Sequence, residues 1–137
     1  MGGAAWEIPG FSFSLPANAD YTAQLTYQYT GVRCVVASGA GINTPVACAP
    51  IAATGDPIVG VMQNNPQLAE AATIVQSGIS KVLVKDVVAV GAKLMACPAG
   101  GMITATSGKF VCGIALDASS AAGQYIPALL VNLGLLA

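Results

Sequence analysis

Turn residues recur along the whole chain, and their spacing limits what it can fold into. Gly31, Gly39-Ala40-Gly41, Gly55-Asp56-Pro57, Asn64-Asn65-Pro66, Gly78, Gly91, Gly100-Gly101, Ser107-Gly108 and Gly123 divide it into short segments. Most spacings are about 8 to 12 residues, the interval of short strands and too short for a helical bundle. The segments between are rich in Ala and β-branched residues. Leu25, Tyr27 and Tyr29 alternate with Thr26, Gln28 and Thr30, and Val82 and Val84 alternate with Lys81, Leu83 and Lys85. Period-two patterning of this kind predicts half-buried strands, with both lysines facing water. Helix signals are weak. Pro66 to Ala72, capped by Asn65, and Asp117 to Ala122, ended by Gly123, read as short helical turns or loops.

An internal repeat narrows the architecture. Ile58-Val59-Gly60-Val61-Met62-Gln63-Asn64 resembles Val111-Cys112-Gly113-Ile114-Ala115-Leu116-Asp117. Each is a strand with a central Gly running into an Asn or Asp turn. An Ala-rich link follows (Leu68 to Ala72; Ala118 to Ala122), then an apolar strand (Thr73 to Gln76; Tyr125 to Val131). Val32 to Ala37 and Ala92 to Cys97 are the matching upstream strands. Chance similarity in a chain rich in Ala, Gly and Val is the alternative. Solenoids need about three or more copies, so two copies predict one small closed barrel or sandwich. The expectation is a mainly β, single-domain fold over 17–137, with an internal two-fold repeat. At 137 residues, one domain with a real core is possible.

Residues 1–16 stand apart as an extended N-terminal arm. They hold Pro9, Pro16, the only tryptophan (Trp6) and two of the three phenylalanines. Trp6, Ile8, Phe11, Phe13 and Leu15 put five large apolar side chains within ten residues. Burying one such side chain is worth about 1.5–3 kcal/mol, so the arm needs a surface to cover it. These five residues are the candidate contacts with a neighbouring subunit or a larger partner.

Charge and chemistry exclude several functions. Five basic and six acidic residues leave a net charge of −1, without the basic excess that phosphate backbones require, so no nucleic-acid partner is expected. No apolar run approaches the roughly 18 residues of a membrane-spanning helix, so no membrane partner is expected, and no charged secretory n-region precedes Arg33. There is no His, which removes the commonest general base and metal ligand. Cys34, Cys48, Cys97 and Cys112 form no Cys-x-x-Cys pair, and a zinc site would need all four. They read as small buried hydrophobes and free thiols, ahead of a metal or disulfide role.

Ser80 and Lys81 are adjacent, so on a strand they point to opposite faces and cannot form a dyad. Ser107-Gly108-Lys109 lacks the rest of a phosphate loop, and Gly39-Ala40-Gly41 lacks the third Gly of a dinucleotide fingerprint. The carboxylates Glu7, Asp20, Asp56, Glu70, Asp86 and Asp117 are scattered. No catalytic residue, cofactor or metal site is expected, and the chain does not read as an enzyme. Charged residues are only 8% of the chain, a composition suited to life against copies of itself or a large partner.

One family resemblance carries these features together. The string Pro57-Ile58-Val59-Gly60-Val61-Met62-Gln63-Asn64-Asn65-Pro66, then Ala69 to Val75, then Ser77-Gly78-Ile79-Ser80-Lys81-Val82, is in this order and spacing similar to the small capsid decoration (cement) proteins of tailed bacteriophages. Val90 to Leu94, Gly108 to Ala118, Ala121 to Gln124 and Leu129-Leu130 continue it, over roughly residues 16 to 131. The resemblance implies a β-tulip-like fold akin to the lambda-type head decoration protein. It also implies homotrimers on the outer surface of an icosahedral head, made in the host cytoplasm. Their partner is the major capsid protein, whose neighbouring subunits they cement. Four cysteines and a long aromatic N-terminal segment depart from typical members. The alternative is a small β-domain hydrolase or ligand-binding module whose site the sequence hides.

Overall fold

The computed structural model describes residues 8–22, 27–36, 46–98 and 101–137. Eleven strands occupy most of them: β1 (Ile8–Pro9), β2 (Ser12–Pro16), β3 (Gly31–Val36), β4 (Val46–Pro50), β5 (Gly60–Met62), β6 (Ala71–Val75), β7 (Gly78–Leu83), β8 (Lys93–Cys97), β9 (Gly101–Thr104), β10 (Phe110–Ala115) and β11 (Tyr125–Leu135). They form two antiparallel sheets, one ordered β2-β6-β5-β3-β4 and the other β1-β7-β11-β10-β8-β9. The sheets share a core in which Ile51, Val61 and Val75 of the first meet Val82, Leu94, Met102, Ile126 and Leu130 of the second. The chain is a mainly β, two-sheet sandwich.

The repeat is the organising feature of this fold. Apart from β1, both sheets run in the order first, fifth, fourth, second, third, so β2–β6 (unit one) and β7–β11 (unit two) have one topology. Their registers correspond as well. Val32 faces Gly60 as Leu94 faces Gly113, Cys34 faces Cys48 as Ala96 faces Met102, and Met62 faces Ile74 as Ala115 faces Ala128. The residue just past the first strand of each unit bridges in parallel to the third, Ala17 to Cys48 and Val84 to Met102. That bridge curls each sheet toward closure around its own small interior. The connection after β2 supplies Tyr21 to one interior, and the connection after β7 supplies Val88 to the other.

The central glycines of the repeat have a shared cause. A Cβ on Gly60 would lie 2.5 Å from the Val75 carbonyl oxygen, and one on Gly113 would lie 3.1 Å from that of Leu129. In each unit the fourth strand presses directly on the backbone of the fifth.

Three local expectations are resolved. Of the helical and loop readings open for Pro66 to Ala72 and Asp117 to Ala122, the loop reading holds, with Ala71 and Ala72 opening β6. Ala17 and Val84 exchange backbone bonds with Ala69 and Glu70 and with Gly123 and Gln124, respectively. Tyr27 to Tyr29 form a tight turn rather than a strand, while Leu25 and Thr26 lie outside the described residues. Val82 and Leu83 of β7 and Val84 just past it are all buried, because the strand is covered on both faces, and Lys81 is half-buried. Only Lys85 is exposed.

Candidate interaction surface

Residues 8–16 run along their own domain. Trp6 lies outside the described residues. Ile8 belongs to β1, which pairs with Ile79 of β7, and β2 pairs with β6 from Ser12↔Val75 to Pro16↔Ala71. β2 is thus the first strand of unit one, although the sequence assigns it to an arm. Phe13 and Leu15 are half-buried against the unit-one core of Val32, Met62, Ala72 and Ile74. Phe11 differs. Its backbone is anchored, with its N–H donating to the Ser77 hydroxyl at 3.0 Å and its carbonyl accepting from Gln76 N–H at 2.8 Å, yet the residue is 57% exposed.

Beside it opens a groove of about 290 Å3 where the two units meet. Phe13, Ile58, Val59, Phe110, Val111 and Leu130 make its lining mainly apolar, and Gln76 and Asn132 also border it. The Phe11 and Phe13 rings are 6.3 Å apart, so an apolar strip leads from the exposed ring into the groove. Sequence reasoning found Phe11 and Phe13 through their density. It missed Phe110, Val111 and Leu130, which only the meeting of the two units brings to the same place.

A polar seam fixes how the units meet. Gln63 donates to the Ser80 hydroxyl at 3.0 Å, Gln28 donates to the Gln63 carbonyl at 2.8 Å, and Leu83 N–H donates to the Tyr29 carbonyl at 2.9 Å. The Tyr29 ring meets Tyr125 edge-on at 5.6 Å and carries the Lys81 ammonium 5.1 Å from its centroid. Contacts of this kind hold one unit against the other.

The titratable groups serve local structure. Asp20 accepts from the backbone and hydroxyl of Thr22, and the hydroxyl bond, followed by the backbone bond, lowers its pKa. Asp56 accepts from Ala53 N–H, Glu70 from Gln67 N–H, Asp86 from Val87 N–H and Asp117 from Ala118 N–H. All four cysteines are free thiols. Burial pushes Cys48 up to about 11 and Cys112 up to about 12, and raises Cys97 against the opposing pull of Lys85. These three are protonated at neutral pH and react slowly with reagents from solution. Cys34 departs from the buried expectation, since it is exposed at the rim of unit one. Among the described residues, no three His, Cys, Asp or Glu side chains converge as a metal site.

No family model matches the chain, and no curated protein matches it. Among solved structures, it is similar to the N-terminal base of the head fibre protein gp8.5 of bacteriophage phi29. The TM-score is 0.65 over 88% of this chain and 93% of that one, at 15% identity. At that identity the likeness is one of fold, and it spans the sandwich.

Proposed function

We propose that the chain is a structural protein of a phage virion that acts by binding alone. It sits on the outer surface of an icosahedral head as a homotrimer and cements neighbouring major-capsid subunits. The observation that carries this reading is the match to a phage head fibre base over nearly the full length of both chains. The resemblance of residues 16 to 131 to capsid decoration proteins points the same way, down to synthesis in the host cytoplasm. The surface agrees with such a role: low charge suits a protein packed against others, and the Phe11 strip with its groove offers an aromatic anchor. Trp6 and Ile8 precede that strip and extend the contact. Many copies on one head would bind through combined weak contacts. The alternative of a small hydrolase or ligand-binding module has no comparable support, and each described carboxylate accepts a hydrogen bond within its own turn.

Add-back tests the reading. Heads of the source phage lacking this chain are mixed with purified full-length protein and sedimented. Co-sedimentation to a saturating copy number is expected, with Phe11→Ser weakening it at least tenfold. Heads that sediment without bound protein would contradict the proposal.

A further inference from the structure

Two of the four cysteines face each other across a hairpin. Cys34 of β3 and Cys48 of β4 are direct cross-strand partners. Their position in the ladder follows from neighbouring bonds. The Val32 carbonyl accepts from Val59 N–H, on the side of β3 away from β4, so Val32 and Cys34 turn their peptide groups from β4. The Cys48 carbonyl accepts from Asn18 N–H, on the side of β4 away from β3. Cys34 and Cys48 therefore form a non-hydrogen-bonded pair, the class in which Cα atoms approach to about 4.5 Å and side chains lie closest. A disulfide spans Cα separations of about 4.4–6.8 Å. The fold does not demand cysteines here, since the equivalent pair of unit two is Ala96 and Met102.

We propose that Cys34 and Cys48 are an intrachain disulfide site, closed by exchange with a small-molecule disulfide such as oxidised glutathione. The division of exposure fits a two-step reaction. Cys34 is open to solvent and Cys48 is fully buried beside it. The Cys34 thiolate attacks one sulfur of the oxidant, forming a mixed disulfide and releasing the first glutathione. The Cys48 sulfur, its proton passing to solvent, then displaces the second glutathione from Cys34. Two protein thiols become one disulfide, and one oxidised glutathione becomes two reduced ones. The other cysteines have no such partner: Cys97 faces Gly101, and Cys112 falls in the register shift between Val111 and Gly113.

Folded full-length protein is incubated with oxidised glutathione, its remaining thiols are alkylated in denaturant, and the products are mapped by mass spectrometry without reductant. Untreated protein should alkylate at four positions and treated protein at two. The Cys34 and Cys48 peptides should be joined within a single chain, and the oxidised form should melt several degrees higher. In Cys34→Ser, an exposed substitution, all three remaining thiols should still alkylate after treatment. Four alkylated thiols after treatment would overturn the proposal. So would a bond to Cys97 or Cys112, a cross-link between chains, or glutathione remaining on Cys34 as the end product.

Discussion

Units one and two share a topology and a register, yet fill their interiors differently. At equivalent positions Ala17 corresponds to Val84, Val32 to Leu94, Cys48 to Met102, Met62 to Ala115, Ala72 to Ile126 and Ile74 to Ala128. Large and small side chains trade places, and two alanines stand in each set. Identities are therefore not kept from one unit to the other, as expected where packing of the whole interior rather than any one residue is constrained. The backbone is treated differently too. Tyr29 and Ala69 hold positive φ values of 64° and 67°, and their counterparts in unit two are Gly91 and Gly123, at 80° and 87°. Tyr29 N–H donates to Met62 as Gly91 N–H donates to Ala115, and Ala69 N–H donates to Ala17 as Gly123 N–H donates to Val84. Unit one therefore carries left-handed strain that unit two relieves with glycine. At Tyr29 the side chain gives a reason, since its ring joins Tyr125 and Lys81 across the seam.

The most severe way to break the comparison is to remove one strand from unit one. Deleting residues 1–16 takes β2 with it, including the β6 ladder and the packing of Phe13 and Leu15. That loss amounts to several kcal/mol against a total stability of about 5–15 kcal/mol. Thermal unfolding should fall by more than about 10 °C or lose cooperativity. A truncation that melts like the full chain would show that β2 is a detachable arm.

A sharper comparison uses the matched glycines. Gly60→Ala drives a methyl group into the Val75 carbonyl oxygen and the Ile74 side chain, both at 2.5 Å, whereas Gly113→Ala meets its nearest atom at 3.1 Å. Denaturant unfolding should show a cost of about 1–3 kcal/mol for Gly60→Ala and a smaller one for Gly113→Ala. Equal costs would mean that the units do not press on their fifth strands differently.

These elements also explain what the sequence could reveal. Gly60 and Gly113 stood out because the backbone of the fifth strand lies close over each, more closely at Gly60, and each leads into an Asn or Asp turn. Asn64 shows why: its Oδ1 accepts from Thr73 N–H at 2.9 Å and its amide donates to the Ala71 carbonyl at 3.0 Å. The interior positions were illegible as a repeat because Met62 and Ala115, or Ile74 and Ala128, share a place but no chemistry. β2 was read as an arm because its match to β7 rests on Leu15 with Val82 and Ala17 with Val84, similarities too common to notice. The groove could not be foreseen, since residues 13, 58 and 110 meet only when the units dock.

Exchanging residues at one left-handed position gives a smaller effect. Gly123→Ala should lose about 1 kcal/mol, and Ala69→Gly should gain a few tenths, relief of strain being partly offset by chain entropy. Both are read from denaturation midpoints. A stabilising Gly123→Ala would contradict the assigned backbone conformations.

The smallest expected effect is electrostatic and confined to unit one. Bonds from Thr22 lower the folded pKa of Asp20, so its contribution is present above the unfolded carboxylate pKa of about 3.9 and is lost as pH falls through the folded value. Asp20→Asn should lower stability slightly at neutral pH and leave it nearly unchanged well below the folded pKa, so the acid limb of the stability curve flattens. An equal effect at both pH values would assign Asp20 another role.

The proposed virion role is tested most directly by an electron cryomicroscopy reconstruction of the source particle. The account predicts density fitting this two-unit sandwich at three-fold related sites on the outer head surface, with the Phe11 strip turned toward a capsid or neighbouring subunit. A fully resolved head shell carrying no such density would contradict it.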